Sequence, residues 1–211
     1  SGFAMDNIIR FALIFLMLIV VSSKAIPEIE RNNSGISSVK TATIAYEKRD
    51  YNTAFHNLTT SAKKGDMVAQ FKLAKMYREG EGVPKNYAAA LKWFNLSAKQ
   101  GNAAAQYHLG VAYSFGLGVV PNYEVALRWY TRSAKQGNSS AQYHLSLLYY
   151  FGNGVEEDKA YAFMWSNIAS TNGFEMAEQL SQVLTEQMTP SQIDEALLLA
   201  RLCKDSNLTN C

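Results

Sequence analysis

The residues of this chain that could carry chemistry are few, and their spacing matches no catalytic or metal-binding motif. The histidines are His56, His108 and His144, of which the last two lie 36 residues apart. If that spacing is one unit of a helical stack, their side chains are ~10 Å apart, too far for two ligands of one metal ion. No serine or cysteine has a histidine base at a recognised motif spacing. We therefore interpret His108 and His144 as polar residues of a groove and predict no catalytic residue, metal site or cofactor.

Glycine pairs and glutamates are other groups that enzymes use, and in this sequence they have simpler interpretations. A pair such as Gly80-Glu81-Gly82 lacks the third glycine of a nucleotide-binding loop, and the glutamates near these pairs are interpreted as solvated charges. The chain has 20 basic and 18 acidic residues in a total of 211, whereas nucleic-acid-binding proteins carry a strong basic excess. With 48% hydrophobic and 18% charged residues, the composition predicts a folded globular protein.

A period of 36 residues runs through the chain and is marked by the glycines Gly65, Gly101, Gly137 and Gly173. Each period carries the same features in the same order, which are an Ala-Gln pair, a leucine, a tyrosine, a Gly-x-Gly-Val segment and a tryptophan. In the first period these are Ala69-Gln70, Leu73, Tyr77, Gly80 to Val83 and Trp93, and the later tryptophans are Trp129 and Trp165. Such internal repetition is typical of solenoid proteins.

Each period is interpreted as a helical hairpin. Ala69, Leu73 and Tyr77 are spaced by four residues and form one apolar face of a first helix. The glycine pair ends that helix, because glycine adopts the left-handed conformation of a C-cap. Asparagine or aspartate is then expected to cap the second helix, at Asp50, Asn86, Asn122 and Asp158. One hairpin cannot bury both of its faces alone, so neighbouring hairpins are expected to stack.

These features, in the order A-Q-x-x-L-x-x-x-Y-x-x-G-x-G-V, A-x-x-W and G, resemble the Sel1-like repeat family, which is related to tetratricopeptide repeats. The resemblance covers roughly Val39 to Arg201. It implies an all-α fold, a right-handed α-α superhelix (solenoid) of TPR-like helical hairpins with C-terminal capping helices. The predicted divisions are a capping hairpin over 37–64, repeats over 65–100, 101–136 and 137–172, and capping helices with a disulfide tail over 173–211.

The period is lost after Gly173, where two further helices are predicted to close the stack. Thr189 and Pro190 favour a helix start, with Gln192 placed to complete a capping box. The buried stripe of that last helix is expected at Ile193, Ala196, Leu197 and Ala200.

The first 25 residues are interpreted as an export signal. Residues 1–4 precede the first methionine and are taken as a cloning remnant. Residues 5–25 combine one basic residue before the apolar run, Arg10, the run itself and the small residues Ser23 and Ala25 of a signal-peptidase site. The run is shorter than the ~20 residues of a transmembrane helix, although a signal anchor or a buried helix is an open alternative. Cleavage predicts a periplasmic protein without a stable membrane anchor, beginning with a flexible segment over 26–36.

The two cysteines, Cys203 and Cys211, are predicted to pair, because an exported protein folds where disulfides form. A bridge over so short a loop would pin the C-terminal tail and stabilise the protein by ~2–3 kcal/mol. Two unpaired thiols or an intermolecular bond are the alternatives. No catalytic motif surrounds either thiol, so the expected role of the bridge is structural.

The first helices of the repeats also predict a partner-binding surface. In related solenoids these helices line the concave face, where side chains that point away from the packed Leu109 are available to a partner. The candidate partner-binding residues are Tyr107, His108, Val111, Phe115, Tyr143, His144, Leu147, Tyr150 and Phe151. Tyr107 and Tyr143 have packing between neighbouring helices as an equal alternative. Together the candidates predict an aromatic strip, which is typical of protein-binding surfaces.

The function favoured by the sequence is an exported, non-catalytic module that binds a protein in this groove. Proteins similar to this one include periplasmic immunity proteins that neutralise type VI secreted antibacterial effectors, phospholipases among them, so the resemblance implies such a toxin as the partner. One alternative is an adaptor or virulence factor of the envelope or host interface without a cognate toxin. Another is an enzyme such as a cell-wall hydrolase. The oligomeric state stays open.

Overall fold

The computed structural model describes residues 38–208 and 211, and every regular element within those residues is an α-helix. The first helix, α1, covers 38–47. The others are α2 Tyr51–Lys63, α3 Met67–Glu79, α4 Tyr87–Lys99, α5 Ala103–Phe115, α6 Tyr123–Ala134, α7 Ser139–Phe151, α8 Lys159–Thr171, α9 Glu175–Gln187 and α10 Pro190–Asp205. None of the described helices is long and apolar enough to cross a bilayer. The predicted signal peptide and the flexible segment lie outside the described residues.

The chain divides into two compact units, one ending at Ser61 and the other running from Ala62 to Cys211. In the first unit the buried apolar side chains are Ala42, Ala45, Ala54 and Leu58. In the second unit each helix from α3 to α9 packs on the next, and α10 packs on α8. Packing between consecutive hairpins is the arrangement of an α-α solenoid, so the predicted fold class is confirmed.

The caps of the second helices are those that the sequence predicts. The side chains of Asn86, Asn122 and Asp158 each accept a hydrogen bond of 2.9 Å from the backbone N–H three residues later, and Asp50 accepts one of 3.2 Å. The first helices have caps of the same kind, which the sequence did not single out, at Asp66, Asn102 and Asn138. Because a cap fixes where each helix begins, the three first helices all have 13 residues.

The two glycines of each pair have separate roles. The first, such as Gly116 with φ 70°, ends its helix in the left-handed conformation. In the repeats that begin at Gly101 and Gly137, the second lets its loop touch the second helix of the preceding repeat. A Cβ atom on Gly154 would lie 2.5 Å from the carbonyl carbon of Tyr123, and one on Gly118 would lie 2.7 Å from that of Tyr87. No side chain fits in such a contact, so each loop docks on the preceding repeat through a bare backbone.

Buried side-chain amides link the repeats through the glutamine of each Ala-Gln pair. Gln106 donates from Nε2 to the carbonyl oxygen of Ala98 at 3.1 Å, and its Oε1 accepts from Nε2 of Gln136 at 2.6 Å. Gln70 and Gln142 make the equivalent bonds in the neighbouring repeats. The three glutamines, which we call the amide spine, are at most 5% exposed. Losing one of these bonds would leave a buried polar atom without a partner.

The C-terminal helices follow the prediction with one correction. Thr189 and Gln192 form a capping box at the start of α10. Ala196 is buried, but Leu197 is 39% exposed and is not part of the buried stripe, because it lies about 100° around the helix from Ala196. Cys203 and Cys211 form the predicted disulfide, with their Cα atoms 5.0 Å apart, and both pack on the core cluster around Trp165.

Candidate partner-binding site

The predicted site residues lie on α5 and α7, mostly at equivalent positions of two neighbouring repeats. Phe115 and Phe151 are 65% and 63% exposed, and the other predicted residues are half-buried. The equivalent side chains on α3 are Phe71, Lys72, Lys75 and Glu79. This face therefore changes from charged on α3 to aromatic and aliphatic on α5 and α7.

A row of aromatic and imidazole rings joins the three first helices. The centroid of the His108 ring lies 5.9 Å from that of Phe71 and 5.1 Å from that of Tyr107. Tyr107 in turn lies 5.4 Å from His144, which lies 5.5 Å from Tyr143. Each histidine thus sits between the aromatic residue before it and the equivalent aromatic residue of the previous repeat. We call these five residues the ring row.

His108 is neutral and is held by Arg78. The Nη1 atom of Arg78 donates to Nδ1 of His108 at 2.8 Å, which requires that this nitrogen carry no proton. Burial and, second, the charge of Arg78 lower the pKa of His108 to about 3. The ring also packs against Phe94, with centroids 4.9 Å apart. At neutral pH His108 is therefore a packing residue and not a proton carrier.

His144 is held by its own helix instead. Its Nδ1–H donates to the carbonyl oxygen of Ser140 at 2.8 Å. Burial lowers the pKa of His144, although that hydrogen bond opposes the effect. Tyr107 and Tyr130 flank the ring at 5.4 and 5.3 Å. The residue equivalent to Arg78 at this place is Ser114, a much shorter side chain.

Two clefts lie at equivalent places beside these histidines. The closed cleft, beside His108, has a volume of about 20 Å³ and is lined by residues that include Arg78, Tyr87, Phe94, Val111 and Leu117. The open cleft, beside His144, has a volume of about 210 Å³ and is lined also by Ser114, Phe115, Tyr123, Tyr130, Leu147, Leu148, Phe151 and Asn153. A water molecule needs roughly 10–15 Å³, and an apolar cavity of roughly 150 Å³ holds benzene. Of the two, the open cleft alone has room for a side chain.

The exchange of Arg78 for Ser114 contributes to this difference. Arg78 lies in the closed cleft and reaches His108, whereas Ser114 leaves the same volume empty. Tyr130, which is 1% exposed, forms part of the lining of the open cleft. Its ring lies so close to Gly110 that a Cβ atom there would be 2.5 Å from it. Two small residues on α5, one turn apart, therefore make room for Tyr130 and for the cleft above it.

The structure brings four of the nine predicted residues together at the open cleft, namely Phe115, His144, Leu147 and Phe151. His108 and Val111 line the closed cleft instead. Tyr107 packs partly on the core cluster shared by α6, α7 and α8. Tyr143 and Tyr150 pack partly on the C-terminal cluster of α8, α9 and α10. The predicted strip is thus a cleft with flanking residues that support it.

Five residues of the open cleft lie outside the predicted set, namely Ser114, Tyr123, Tyr130, Leu148 and Asn153. Tyr123 and Tyr130 belong to a second helix, and a prediction based on the first helices misses them. Ser114 is small and belongs to no apolar pattern. The signal that identifies it is its comparison with Arg78, because the two occupy the same place in successive repeats.

The open cleft is suited to recognition. Its lining is aromatic and aliphatic apart from Ser114, Asn153, the ring of His144 and two tyrosine hydroxyls. In the part of the chain that the structure describes, no cluster of three or more His, Cys, Asp or Glu side chains is arranged to hold a metal ion. Apolar clefts with a few polar groups are typical of binding sites.

Known proteins with the same repeat were found by sequence and by structure. The profile of the family described as Sel1 repeat matches residues 45–66, 68–102, 103–138 and 139–174, which is more than half of the chain. A Sel1 repeat protein from Oxalobacter formigenes is 30% identical over 70% of this chain and 62% of its own, with a TM-score of 0.66. A protective antigen present in uropathogenic Escherichia coli strains, which displays an SLR fold, is 26% identical over 82% of this chain and 47% of its own, with a TM-score of 0.58. No curated protein sequence matches significantly.

This chain therefore spans less than two thirds of the length of either solved relative. The matched segment 45–66 falls in the predicted N-terminal capping hairpin, and the other three follow the 36-residue period. Sel1 repeats are typically non-catalytic scaffolds for protein–protein interaction. By its four matched repeats and by the helical hairpins that they form, the chain belongs to the Sel1 repeat family.

Proposed function

We propose that this protein is an exported, non-catalytic module that binds a protein partner through the face formed by α5 and α7. The observation that carries the proposal is the open cleft between two exposed phenylalanines, Phe115 and Phe151. Exposed aromatic residues beside a pocket are typical of the centre of a binding surface. In related solenoids this face is concave, and a concave face would surround the bound partner.

Within this function, we assign as the partner a type VI secreted antibacterial effector of the phospholipase kind, against which the protein acts as a periplasmic immunity protein. Two features support the assignment. Residues 5–25 have the composition of an export signal, and the resemblance of the repeats to the Sel1-like family implies an immunity protein of this kind. An immunity protein needs a rigid complementary surface, and the ring row supplies side chains whose positions are fixed by packing.

An adaptor at the envelope or host interface is the second candidate function. It is favoured by the similarity to the protective antigen of uropathogenic Escherichia coli, which extends over 82% of this chain. The two functions share the same binding surface and differ in the partner. The identity of the captured protein therefore separates them.

Capture from a periplasmic extract of the native bacterium, followed by mass spectrometry, tests the binding face. The variants are Phe151→Glu and, as a matched control, Leu198→Glu on α10, where the leucine is 53% exposed. We expect wild type and Leu198→Glu to capture the same partner and Phe151→Glu to lose it, because an unpaired charge buried in an apolar interface is costly. A partner retained by Phe151→Glu and lost by Leu198→Glu would move the binding site to α10.

The immunity assignment has its own test. We expect the gene of the captured partner to lie beside the gene of this protein, and we expect an equimolar amount of this protein to inhibit the phospholipase activity of that partner. A partner without toxic activity would contradict immunity and favour the adaptor. Turnover of a cell-wall substrate by the protein itself, lost on replacing His108 and His144, would contradict the non-catalytic assignment.

A further inference from the structure

We infer that the open cleft is the receptor for one aromatic side chain of the partner, presented by a segment that carries a carboxylate next to it. This assignment rests on the proposed binding function, to which it adds the chemistry that the partner must have. It makes the cleft the anchoring point of the interface, with Phe115 and Phe151 as its rim.

The volume of the cleft limits its occupant to a single ring. About 210 Å³ exceeds the roughly 150 Å³ that holds benzene in an apolar cavity, but is less than two such rings need. Phe115, Tyr123 and Phe151 supply aromatic walls, against which an entering ring can pack edge-to-face or offset. The hydroxyl oxygens of Ser114 and Tyr130 are 3.4 Å apart, longer than a good O–H···O bond. Both hydroxyls can therefore turn to a polar atom of the entering residue.

Positive charge lies on α3, the first helix of the repeat that precedes the cleft-lining helices α5 and α7. Lys72, Lys75 and Arg78 occupy the face of α3 that is equivalent to the cleft-lining faces of α5 and α7. The charge of Arg78 extends to Tyr107, where burial raises the pKa and Arg78 acts in the opposite direction. Tyr107 lies 5.4 Å from the His144 ring, which lines the cleft. Along the ring row, His108 and Tyr107 thus lie between Arg78 and the His144 ring of the open cleft.

The balance of these charges favours an acidic partner segment. Glu79 forms an ion pair with Arg78, so this face of α3 retains an excess of positive charge from Lys72 and Lys75. A negative charge, Glu124, directly follows the cleft residue Tyr123 on α6. A carboxylate next to the anchoring ring is therefore attracted towards α3 and repelled from α6, which sets the orientation of the segment.

Three capped tripeptides test this assignment: acetyl-Asp-Phe-Asp-amide, acetyl-Asp-Ala-Asp-amide and acetyl-Lys-Phe-Lys-amide. Each is titrated into the ¹⁵N-labelled protein while the backbone amide signals of Ser114, Phe115 and Phe151 are followed by NMR. The first peptide places one carboxylate on the α3 side whichever way it lies. We expect it to give saturable shifts and to bind at least tenfold more tightly than the other two. Equal binding by the alanine or the lysine peptide would overturn the assignment.

Two variants exchange the residue that distinguishes the clefts. Ser114→Arg copies the closed cleft, and we expect it to abolish binding of the Asp-Phe-Asp peptide. Ser114→Ala is the matched comparison, because it keeps the volume and removes only the hydroxyl, so we expect it to retain saturable binding. Arg78→Ser should open the second cleft and add shifts at His108 and Val111. If Ser114→Arg does not fold, as judged by circular dichroism, the Arg78→Ser variant tests the assignment instead. Added shifts at His108 and Val111 would support it, and their absence would overturn it.

Partner capture separates this assignment from the proposed function. If Ser114→Arg still captures the partner while Phe151→Glu does not, the binding function stands and the cleft is not its receptor. Sedimentation tests a different occupant, a second copy of this chain. A wild-type dimer that dissociates in Ser114→Arg would show that such a copy fills the cleft, and would overturn the assignment.

Discussion

The closed and open clefts show how one repeat design produces two different surfaces. Both lie beside a half-buried histidine, and both have a tyrosine from the start of a second helix in their lining. They differ in Arg78 against Ser114 and in Phe94 against Tyr130. The first has room for about one water molecule and the second for a side chain. The candidate binding site thus lies where one repeat departs from its neighbour, while the helices, caps and turns that the repeats share hold it in place.

The largest expected effect comes from disturbing the loop that docks beside the open cleft. Gly154→Ala places a methyl group at φ +71° and 2.5 Å from the Tyr123 carbonyl carbon, so we expect the free energy of unfolding in urea to fall by about 3 kcal/mol. Gly152→Ala is the control, because its φ of +66° is similar but its nearest contact is 3.4 Å. We expect it to cost about 1–2 kcal/mol. Equal losses would mean that the close approach is unimportant.

The amide spine should support both clefts equally. Gln70→Ala and Gln106→Ala each remove a buried amide that makes two hydrogen bonds, so each should lower the free energy of unfolding by about 2 kcal/mol. Urea denaturation measures the loss, and binding of the Asp-Phe-Asp peptide by the folded Gln106→Ala variant should persist. A large difference between the two losses of unfolding free energy would show that the spine glutamines do not stabilise the two repeats equally.

Lowering the pH should destabilise the protein through His108, the histidine that lines the closed cleft. The pKa of His108 is about 3 in the folded protein and ordinarily about 6.5. Between these values the unfolded chain holds a proton that the native state lacks, so stability is lost as pH falls, by up to ~1.4 kcal/mol per pH unit. The ring signals of His108 in NMR should not titrate between pH 8 and about pH 5. In Arg78→Ser, which reduces both burial and charge, the midpoint should rise, and an unchanged midpoint would contradict the role of Arg78.

The smallest expected effect comes from Tyr130→Phe, which gives the open cleft the phenylalanine of the closed one. The hydroxyl of Tyr130 lies 3.4 Å from that of Ser114, so its removal should change the free energy of unfolding by about 0.5 kcal/mol or less. Binding of the Asp-Phe-Asp peptide should stay within twofold of wild type. Loss of binding would mean that the tyrosine hydroxyl, and not the exchange of Arg78 for Ser114, makes the cleft receptive.

The ends of the helices are predictable from the sequence because each depends on residues that are close to it in the chain. Asn86 and Asn122 cap helices through their own backbone neighbours, and Gly116 ends a helix through its own φ angle. The amide spine is not predictable in the same way. The Ala-Gln pairs are visible as a pattern, but Gln106 bonds to the residues eight before it and thirty after it. No helical periodicity reveals those partners.

The site is predictable only in part, for a related reason. A helical wheel places Phe115 and Phe151 on an exposed face, because exposure follows the period of one helix. The contributions of Tyr123 and Tyr130 depend on contacts between helices of different repeats. The depth of the cleft depends on the volume of one side chain, Ser114. Periodicity identifies what the repeats share, whereas this site is made by what they do not share.

The amide spine also determines how the protein should lose its structure. Each spine glutamine donates to a carbonyl oxygen near the end of the preceding second helix. It accepts from the side-chain amide just beyond the next second helix, and the last such amide is Asn172 after α8. In a one-dimensional Ising description these bonds are nearest-neighbour coupling terms between hairpins. Strong coupling makes the array melt as a whole, and weak coupling lets its ends fray. A partner bound between two repeats adds to the same term, so binding should raise the cooperativity of the array.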